Sequence, residues 1–295
     1  MRLQTGILRN GYGWNVKPQA ILHLLNRGFS EVIWVDSDVI VTRNPVLYPL
    51  KDDIFVATEN TLVDERSDRN ALRARLWGLQ VGRVLPFSLN SAVLRVTRYH
   101  YGLVERWWEM LQSEVYQESQ KKKWSERPVH MLSDQDVLTA LLTSEKFSSV
   151  PIHLLRRGKH IIQFDGVYGY SVAERMRNVL GGCPTFIHSC AGKPWSEPWR
   201  SEAKGGLRNY IKQVYLDTSP YTLSALQFRD ELGSRTEWMD PHYKLSRSLR
   251  LLGMGYPALA GLPVAVFSDV ARALKRIRKL RKTNFSRLGM LPAGE

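Results

Sequence analysis

The chain has 295 residues and a mass of 33.9 kDa, which is long enough for one large domain or two ordinary ones with a substantial hydrophobic core. Apolar residues make up 43% of the sequence and charged residues 24%, a composition that excludes a largely disordered chain. The net charge of +14 favours an anionic partner, which can be a nucleic acid, a nucleotide or an acidic membrane surface.

The first predicted elements are a helix and a strand. Pro18 suits the first turn of a helix, Gly28 suits its end, and the apolar stripe between them consists of Ile21, Leu22, Leu24 and Leu25. Residues 31–42 predict one strand, whose run Val32-Ile33-Trp34-Val35 is apolar on both faces. Such a run is typical of a central parallel strand that is covered by helices on both sides.

Later elements continue this alternation of helices and strands. We predict strands at Ile54–Thr58, 88–96 and 184–188, and helices at 101–118 and Asp134–Thr143. Alternating elements indicate an α/β fold with a mostly parallel sheet. Residues 241–295 contain eleven Lys and Arg but only two acids, so we predict an α/β domain over residues 1–215 and a basic helical extension over residues 216–295.

Cysteines and apolar runs bear on the compartment. The two cysteines, Cys183 and Cys190, are too few for a disulfide scaffold or a four-thiolate zinc site, and we expect free thiols. No apolar run approaches the roughly 18 residues that a membrane span requires. The first 14 residues lack the apolar core of a signal peptide, and we therefore expect a cytoplasmic protein.

Two acids, Asp36 and Asp38, follow the apolar strand at its carboxyl end, the edge at which open α/β sheets bind ligands. In an extended chain, residues two apart point the same way, so both carboxylates can face one ligand. Two hard oxygen donors suit Mg²⁺ or Mn²⁺, which can then bridge to a diphosphate. The alternative is that these acids only end a strand and begin a turn.

Three further segments follow in the chain: Phe87-Ser88-Leu89-Asn90-Ser91-Ala92, Ser133-Asp134-Gln135-Asp136-Val137-Leu138 and His188-Ser189-Cys190-Ala191-Gly192-Lys193-Pro194-Trp195. Together with the strand that ends in Asp36-Ser37-Asp38, they resemble, in this order, the motifs of the GT-A glycosyltransferases, and especially the retaining glycosyltransferase family 8. The resemblance spans roughly residues 15–200 and implies a GT-A, Rossmann-like nucleotide-diphospho-sugar transferase fold.

The resemblance implies a metal site and a diphosphate site. Asp36, Asp38 and His188 would hold Mn²⁺ or Mg²⁺, and the histidine nitrogen tilts the preference towards Mn²⁺. The metal would neutralise the diphosphate leaving group. Lys193 and its neighbour Gly192 would lie close to the phosphates. Lys17, which precedes the first strand, is a further candidate for a phosphate contact, and its alternative is an ordinary solvated lysine.

The other motif residues are implied to bind and process the donor sugar. Asn90 and Ser91 would line the site for the donor sugar and the acceptor. Asp134 and Gln135 would be catalytic, because a retaining enzyme needs a group on the far face of the sugar. Each residue also has a structural alternative, such as core hydrogen bonding for His188, a strand end for Asn90 and Ser91, and an N-cap arrangement in which Asp134 follows Ser133.

The sequence departs from the family pattern in three places. Ala92 stands where Gly is usual, and Lys193 follows His188 by five residues instead of six. The family's first strand and helix, which hold the nucleotide base, would precede the helix at Pro18, where this sequence has only about fifteen residues. Either the start of the chain is short or the base is held in another way.

These features predict a metal-dependent glycosyltransferase that moves a sugar from a nucleotide-diphosphate donor, a UDP-sugar, to a glycan or lipid-linked acceptor with retention. A catalytically silent sugar-nucleotide-binding protein of the same fold is the first alternative. A basic nucleic-acid-binding protein is the second. Because the sequence lacks interleaved basic and aromatic residues and any helix-turn-helix or zinc motif, we expect no nucleic acid partner.

The basic tail, residues 256–295, contains an amphipathic pattern. Ser268 or Asp269 can cap a helix that ends near Lys282. Its apolar side consists of Val270, Leu274 and Ile277, and its other side is rich in Lys and Arg. Such a helix can lie in an anionic membrane interface, so we predict a peripheral protein at the inner face of the membrane. The alternative is a solvated helix that packs one face on the catalytic domain.

Overall fold

The computed structural model describes residues 13–45, 53–58, 67–164, 169–190, 193–196, 206–233 and 236–288. The chain divides into two compact units, the first with residues 1–39 and 45–156, the second with residues 40–44 and 157–295. Both units combine strands with helices, which confirms the predicted mixed α/β class. The predicted division after residue 215 falls inside a helix of the second unit, Gly206–Asp217.

The described strands are β1 (Glu31–Val35), β2 (Val39–Val41), β3 (Ile54–Thr58), β4 (Leu89–Thr97), β5 (Ile152–Leu155), β6 (Ile161–Phe164) and β7 (Phe186–Ser189). The described α-helices are α1 (Lys17–Asn26), α2 (Ser67–Leu76), α3 (Tyr101–Gln112), α4 (Glu114–Gln120), α5 (Asp134–Thr143), α6 (Val172–Gly181), α7 (Gly206–Asp217), α8 (Pro220–Ala225), α9 (Arg229–Leu232), α10 (Lys244–Leu252), α11 (Pro257–Ala260) and α12 (Leu262–Leu288). The bounds predicted for β3 and α5 are confirmed residue for residue.

The prediction of a single strand over residues 31–42 is wrong. The segment contains β1 and β2, which belong to different sheets, and a turn at residues 36–38 separates them. In this turn the Val39 amide donates to the Asp36 carbonyl at 3.0 Å. Asp and Ser favour turns because their side chains bond to nearby backbone groups. Asp36 and Asp38 therefore do not share one side of an extended strand.

The sheet of the first unit is mixed, and the predicted mostly parallel arrangement is wrong for it. Its order is β1-β4-β3-β5, with β4 antiparallel to β1 and β3, while β3 and β5 are parallel. Among the described residues β1 has a partner on one side only, and Val32 is its one fully buried residue. The apolar run was therefore not evidence for a strand at the centre of the sheet.

Helices α1, α3 and α5 pack with this sheet around the main core of the unit. Helix α1 has Pro18 in its first turn and is followed by Gly28 at φ +99°, as predicted. The helix predicted at residues 101–118 is divided at Ser113, whose extended backbone separates α3 from α4. Tyr116 in α4 is buried and donates to Asn15 at 2.9 Å, so packing of this aromatic ring accompanies the break.

The second unit contains a three-stranded sheet in the order β2-β7-β6, in which β6 and β7 are parallel. The strand predicted at residues 184–188 is present as β7, which begins two residues later and ends one residue later. The core beside this sheet includes Ile162, Ile187, Tyr221 and Met239. The strands β5 and β6, of four residues each, were not predicted.

The C-terminal helix α12 begins earlier than predicted and is longer. Neither Ser268 nor Asp269 caps it, because both lie within the helix. Ser268 is buried, and the Asp269 carboxylate accepts a hydrogen bond from the Val172 amide at the start of α6, at 2.9 Å. The two residues predicted as caps thus belong to the part of α12 that contacts α6. Of the helices in the described ranges, none is long and apolar enough to cross a membrane.

Candidate active site

A buried lysine joins residues from three of the sequence motifs in the first unit. The Lys17 ammonium lies 3.1 Å from Asp36 Oδ2, 2.9 Å from Ser91 Oγ and 3.3 Å from Asp134 Oδ2. Its side chain is 5% exposed, so the alternative of a solvated lysine is wrong. Lys17 is the first residue of α1, and the helix start delivers its side chain to the ends of β1 and α5.

Charge compensation holds this cluster together. Burial by itself lowers the pKa of Lys17, but the carboxylates of Asp134 and Asp36 outweigh that effect and raise the pKa above 10.5. Lys17 is therefore protonated at neutral pH. Burial raises the pKa of Asp134, whereas the Lys17 charge and the Ser91 hydroxyl, which donates at 2.8 Å, favour its carboxylate. With both acids ionised, the three charged side chains carry a net charge of −1.

Asp134 and Gln135 stand on the first turn of α5. A capping box forms this turn: the Asp136 carboxylate accepts hydrogen bonds from the Ser133 amide at 2.9 Å and from its hydroxyl at 2.8 Å. Ser133 is thus the N-cap and Asp134 the first residue of the helix, which confirms the N-cap arrangement that was the structural alternative for Asp134. The indole of Trp107 donates to the Asp134 carbonyl at 2.9 Å, and Gln135 Oε1 accepts from the Ser91 amide at 3.4 Å.

Arg73 stabilises this first turn of α5 through Asp136, and the sequence did not predict this role. Its guanidinium is buried and lies 2.8 Å from Asp136 Oδ1. It also donates to Asn70 at 2.6 Å, to Ser88 at 2.5 Å and to the Val129 carbonyl at 3.3 Å. Arg73 lies between the partly exposed Arg69 and the exposed Arg75 of α2, so no sequence pattern distinguishes it from a solvated residue. Arg73 therefore positions α5 through Asp136.

Asn90 and Ser91 differ in what they contribute. Ser91 belongs to the Lys17 cluster, as described above. The side-chain oxygen Oδ1 of Asn90 accepts a hydrogen bond from the Ala92 amide at 3.1 Å, which agrees with its structural alternative. The Ala92 carbonyl in turn accepts from the Asp36 amide at 2.8 Å, so the backbone of β4 holds the chain where β1 ends. Ala92 is 2% exposed, and its methyl group is therefore packed in the interior.

The donor types near residues 36–38 fit Mg²⁺ or Mn²⁺, but the ligand set is incomplete in the described residues. Asp36 Oδ1 accepts a hydrogen bond from the Trp34 indole at 2.6 Å, and its Oδ2 accepts from Lys17. A carboxylate oxygen has a second lone pair, so these bonds leave coordination sites. Asp38 is partly exposed. No group of three or more His, Cys, Asp or Glu that could hold a metal is found among the described residues.

The fourth motif belongs to the second unit. His188 in β7 is buried, and its Nδ1 lies 3.1 Å from Cys190 Sγ. The Lys193 ammonium donates to the carbonyls of Ser189 at 2.5 Å and Cys190 at 3.4 Å. The Trp195 indole packs near Tyr221 and Trp238. Gly192 lies outside the described residues, so its predicted phosphate contact stays a prediction.

Comparison with known proteins adds little to this geometry. No family model matches the chain, and no curated protein matches it. Among solved structures, the chain is similar to a glycosyltransferase involved in the glycosylation of the major capsid of PBCV-1, with 14% sequence identity. The similarity covers 64% of this chain and 73% of that chain, with a TM-score of 0.36. A likeness at this level does not assign a function.

Proposed function

We propose that the chain is a glycosyltransferase that moves a sugar from a nucleotide-diphosphate donor, a UDP-sugar, to a glycan or lipid-linked acceptor with retention. One observation carries the proposal: Lys17 contacts Asp36, Ser91 and Asp134 within 3.3 Å, and these three acceptors come from separate motifs of the glycosyltransferase resemblance. Residues that are far apart in sequence but meet in one buried polar cluster are typical of a functional site.

In this proposal the Lys17 cluster faces the donor sugar, and Gln135 acts near the anomeric carbon. Its carboxamide oxygen can stabilise the positive charge that develops there as the glycosidic bond breaks. With both acids ionised, the cluster carries a net charge of −1, which disfavours a diphosphate, so a donor site here requires added positive charge. We propose that Mn²⁺ or Mg²⁺, which Asp36 and Asp38 would hold, would supply this charge by neutralising the leaving group.

A silent sugar-nucleotide-binding protein is the second candidate, because both oxygens of Asp36 already accept hydrogen bonds from side chains of this chain. Hydrolysis of the donor separates the two candidates. We expect the protein to hydrolyse one member of a panel of nucleotide sugars with Mn²⁺ and not without it. Binding of a donor with no hydrolysis, with or without an acceptor, would support the silent protein.

Gln135→Ala tests the proposed chemistry. We expect kcat to fall about a hundredfold, because a group that acts only in the transition state is lost, while donor affinity changes little. Gln80→Ala removes an exposed amide and is the matched control. Proton NMR of the first product should give the anomeric configuration of the donor. Equal losses in kcat and affinity would make Gln135 a binding residue, and an inverted product would refute retention.

Asp38→Asn tests the metal site. We expect Mn²⁺ affinity, measured by calorimetry, to fall at least about tenfold, because a charged oxygen ligand becomes a neutral one. The fold should survive, since Asp38 is a partly exposed turn residue. The exposed Asp68, changed to Asn, is the control for a general loss of negative charge. Unchanged Mn²⁺ affinity in Asp38→Asn would remove the metal from the proposal.

A further inference from the structure

One face of α12 consists of apolar side chains that no described part of the chain covers. The exposed fractions are 45% for Val266, 62% for Phe267, 53% for Val270, 53% for Leu274 and 47% for Ile277. Val266 and Phe267 are adjacent, and the later residues follow at intervals of three or four, which places all five along one side of the helix. This side is called the outer face of α12 below.

The opposite side of α12 is attached to the protein. Ala265 and Ser268 are buried, and the Asp269 carboxylate binds the Val172 amide of α6. The helix therefore has a fixed orientation within the second unit, at least over these turns. The outer face is thus not a face that turns inward to complete the core of this unit.

The apolar surface continues beyond α12. A groove between α7, α10 and α12 is lined almost entirely by apolar atoms, and its lining includes Tyr210, Ile211, Leu245, Leu249, Val264 and Phe267. At the end of α10, Leu251, Leu252 and Met254 are each more than 70% exposed. A monomeric soluble protein rarely exposes so many large apolar side chains in one region, so this surface fits a partner.

Charge decides which partner fits. The sequence of α12 contains eight Lys and Arg and one acid, Asp269, and the exposed residues Lys244 and Arg247 on α10 are also basic. A second copy of the chain would bring two such helices together, and their like charges would repel. An anionic lipid headgroup layer over an acyl interior instead matches both the basic residues and the apolar face.

We propose that the outer face of α12 and the groove beside it dock on an anionic membrane surface. The apolar side chains enter the boundary between headgroups and acyl chains, while Lys and Arg contact the headgroups. This inference rests on the second unit alone, and it holds whether or not the proposed glycosyl transfer is correct.

Vesicle flotation with the full chain tests the proposal. We expect binding to vesicles of equal parts phosphatidylglycerol and phosphatidylcholine, weak binding to pure phosphatidylcholine, and loss of binding as NaCl rises, because salt screens the headgroup attraction. Phe267→Glu and Val270→Glu should each weaken partition about tenfold or more, since a carboxylate resists entry into the interface. Val115→Glu, at a residue of the first unit that is 57% exposed, is the matched control.

The opposite results are also informative. No flotation with anionic vesicles at low salt would overturn the proposal, as would equal binding by wild type, Phe267→Glu and Val270→Glu. A dimer in sedimentation velocity that Phe267→Glu dissociates, without vesicle binding, would assign the face to a second copy instead. Circular dichroism melts of each variant establish that a loss of binding is not a loss of folding. Donor hydrolysis without vesicles should be equal in wild type and Phe267→Glu.

Discussion

The Lys17 cluster and the outer face of α12 depart from the usual distribution of side chains in opposite directions. In the cluster, one ammonium and two carboxylates lie at or near the interior, with Lys17 and Asp134 almost fully buried. On α12, five large apolar side chains are exposed. Buried charges and exposed apolar patches are the arrangements that cost stability, and they are more informative about function than an ordinary core or surface.

The two regions differ in whether other groups of the described chain offset this loss of stability. Within the first unit, the Lys17 ammonium offsets part of the negative charge of Asp36 and Asp134, since it lies within 3.3 Å of both carboxylates. The outer face of α12 has no such compensation in the described residues of the second unit. We therefore expect changes in the cluster to alter stability strongly, and changes on the outer face to alter binding while stability stays nearly constant.

The largest expected effect is that of Lys17→Met. This change leaves two carboxylates near the interior without their cation, and we expect the free energy of unfolding to fall by about 4–5 kcal/mol. The loss should grow with pH, because without Lys17 the pKa of Asp134 rises further above its unfolded value. At low pH Asp134 is neutral and its burial costs little stability. As the pH rises through the pKa of Asp134 in the folded protein, the free energy of unfolding falls, because the ionised carboxylate is better solvated in the unfolded chain.

Urea unfolding of Lys17→Met from acidic to neutral pH measures this effect. In the wild type the raised pKa of Lys17 means that its stabilising contribution is complete below 10.5 and is lost only as the pH rises further, through the folded pKa. Lys122→Met, at an exposed loop lysine, is the control and should change little. A Lys17→Met protein with wild-type stability throughout this range would show that the cluster does not compensate its charges as described.

The next largest effect is expected for Arg73→Met. Asp136 would lose its buried cation, and Asn70 and Ser88 would lose a donor, which should cost about 3 kcal/mol. If Arg73 is a positioning residue for α5, kcat should fall more than donor affinity in the folded fraction. Arg73→Lys restores the charge without the fork of donors and should recover only part of both losses. Arg106→Met, at an exposed ion pair, is the control.

Arg73 also illustrates what the sequence did not reveal. The bounds of β3 and α5 could be predicted from local patterns, because an apolar run and a Ser-Asp-Gln-Asp helix start each involve only a few consecutive residues. The contacts of the Lys17 ammonium could not be predicted in this way. Asp36 lies 19 residues from Lys17 in the sequence, and Ser91, which accepts a hydrogen bond from the same ammonium, lies 74 residues from it. Tertiary contacts determine which lysine or arginine is buried in an ion pair, and the pattern of a single sequence does not show those contacts.

The turn between β1 and β2 teaches the same point at short range. The apolar run at residues 32–35 predicted a central strand, yet sheet position depends on which strands pair, and β4 comes from residues more than fifty positions later. The acids at residues 36–38 predicted either a metal-ligand motif or a turn. The structure decides for a turn in the backbone, and the metal prediction rests on the experiment with Asp38→Asn.

The smallest effects are expected at two neighbouring residues of α12, of which Asp269 contacts α6 and Val270 belongs to the outer face. Asp269→Asn weakens the hydrogen bond to the Val172 amide at the N-terminus of α6, because the helix dipole favours a carboxylate over a neutral amide there. We expect the free energy of unfolding to fall by about 0.5–1 kcal/mol. Val270→Asn on the outer face should lie within about 0.5 kcal/mol of wild type, because its side chain is already half exposed. Urea unfolding measures both, and amide hydrogen exchange at Val172 should accelerate in Asp269→Asn alone. A larger loss in Val270→Asn than in Asp269→Asn would mean that the outer face is covered in solution by this chain itself, and the contrast between the two regions would then be lost.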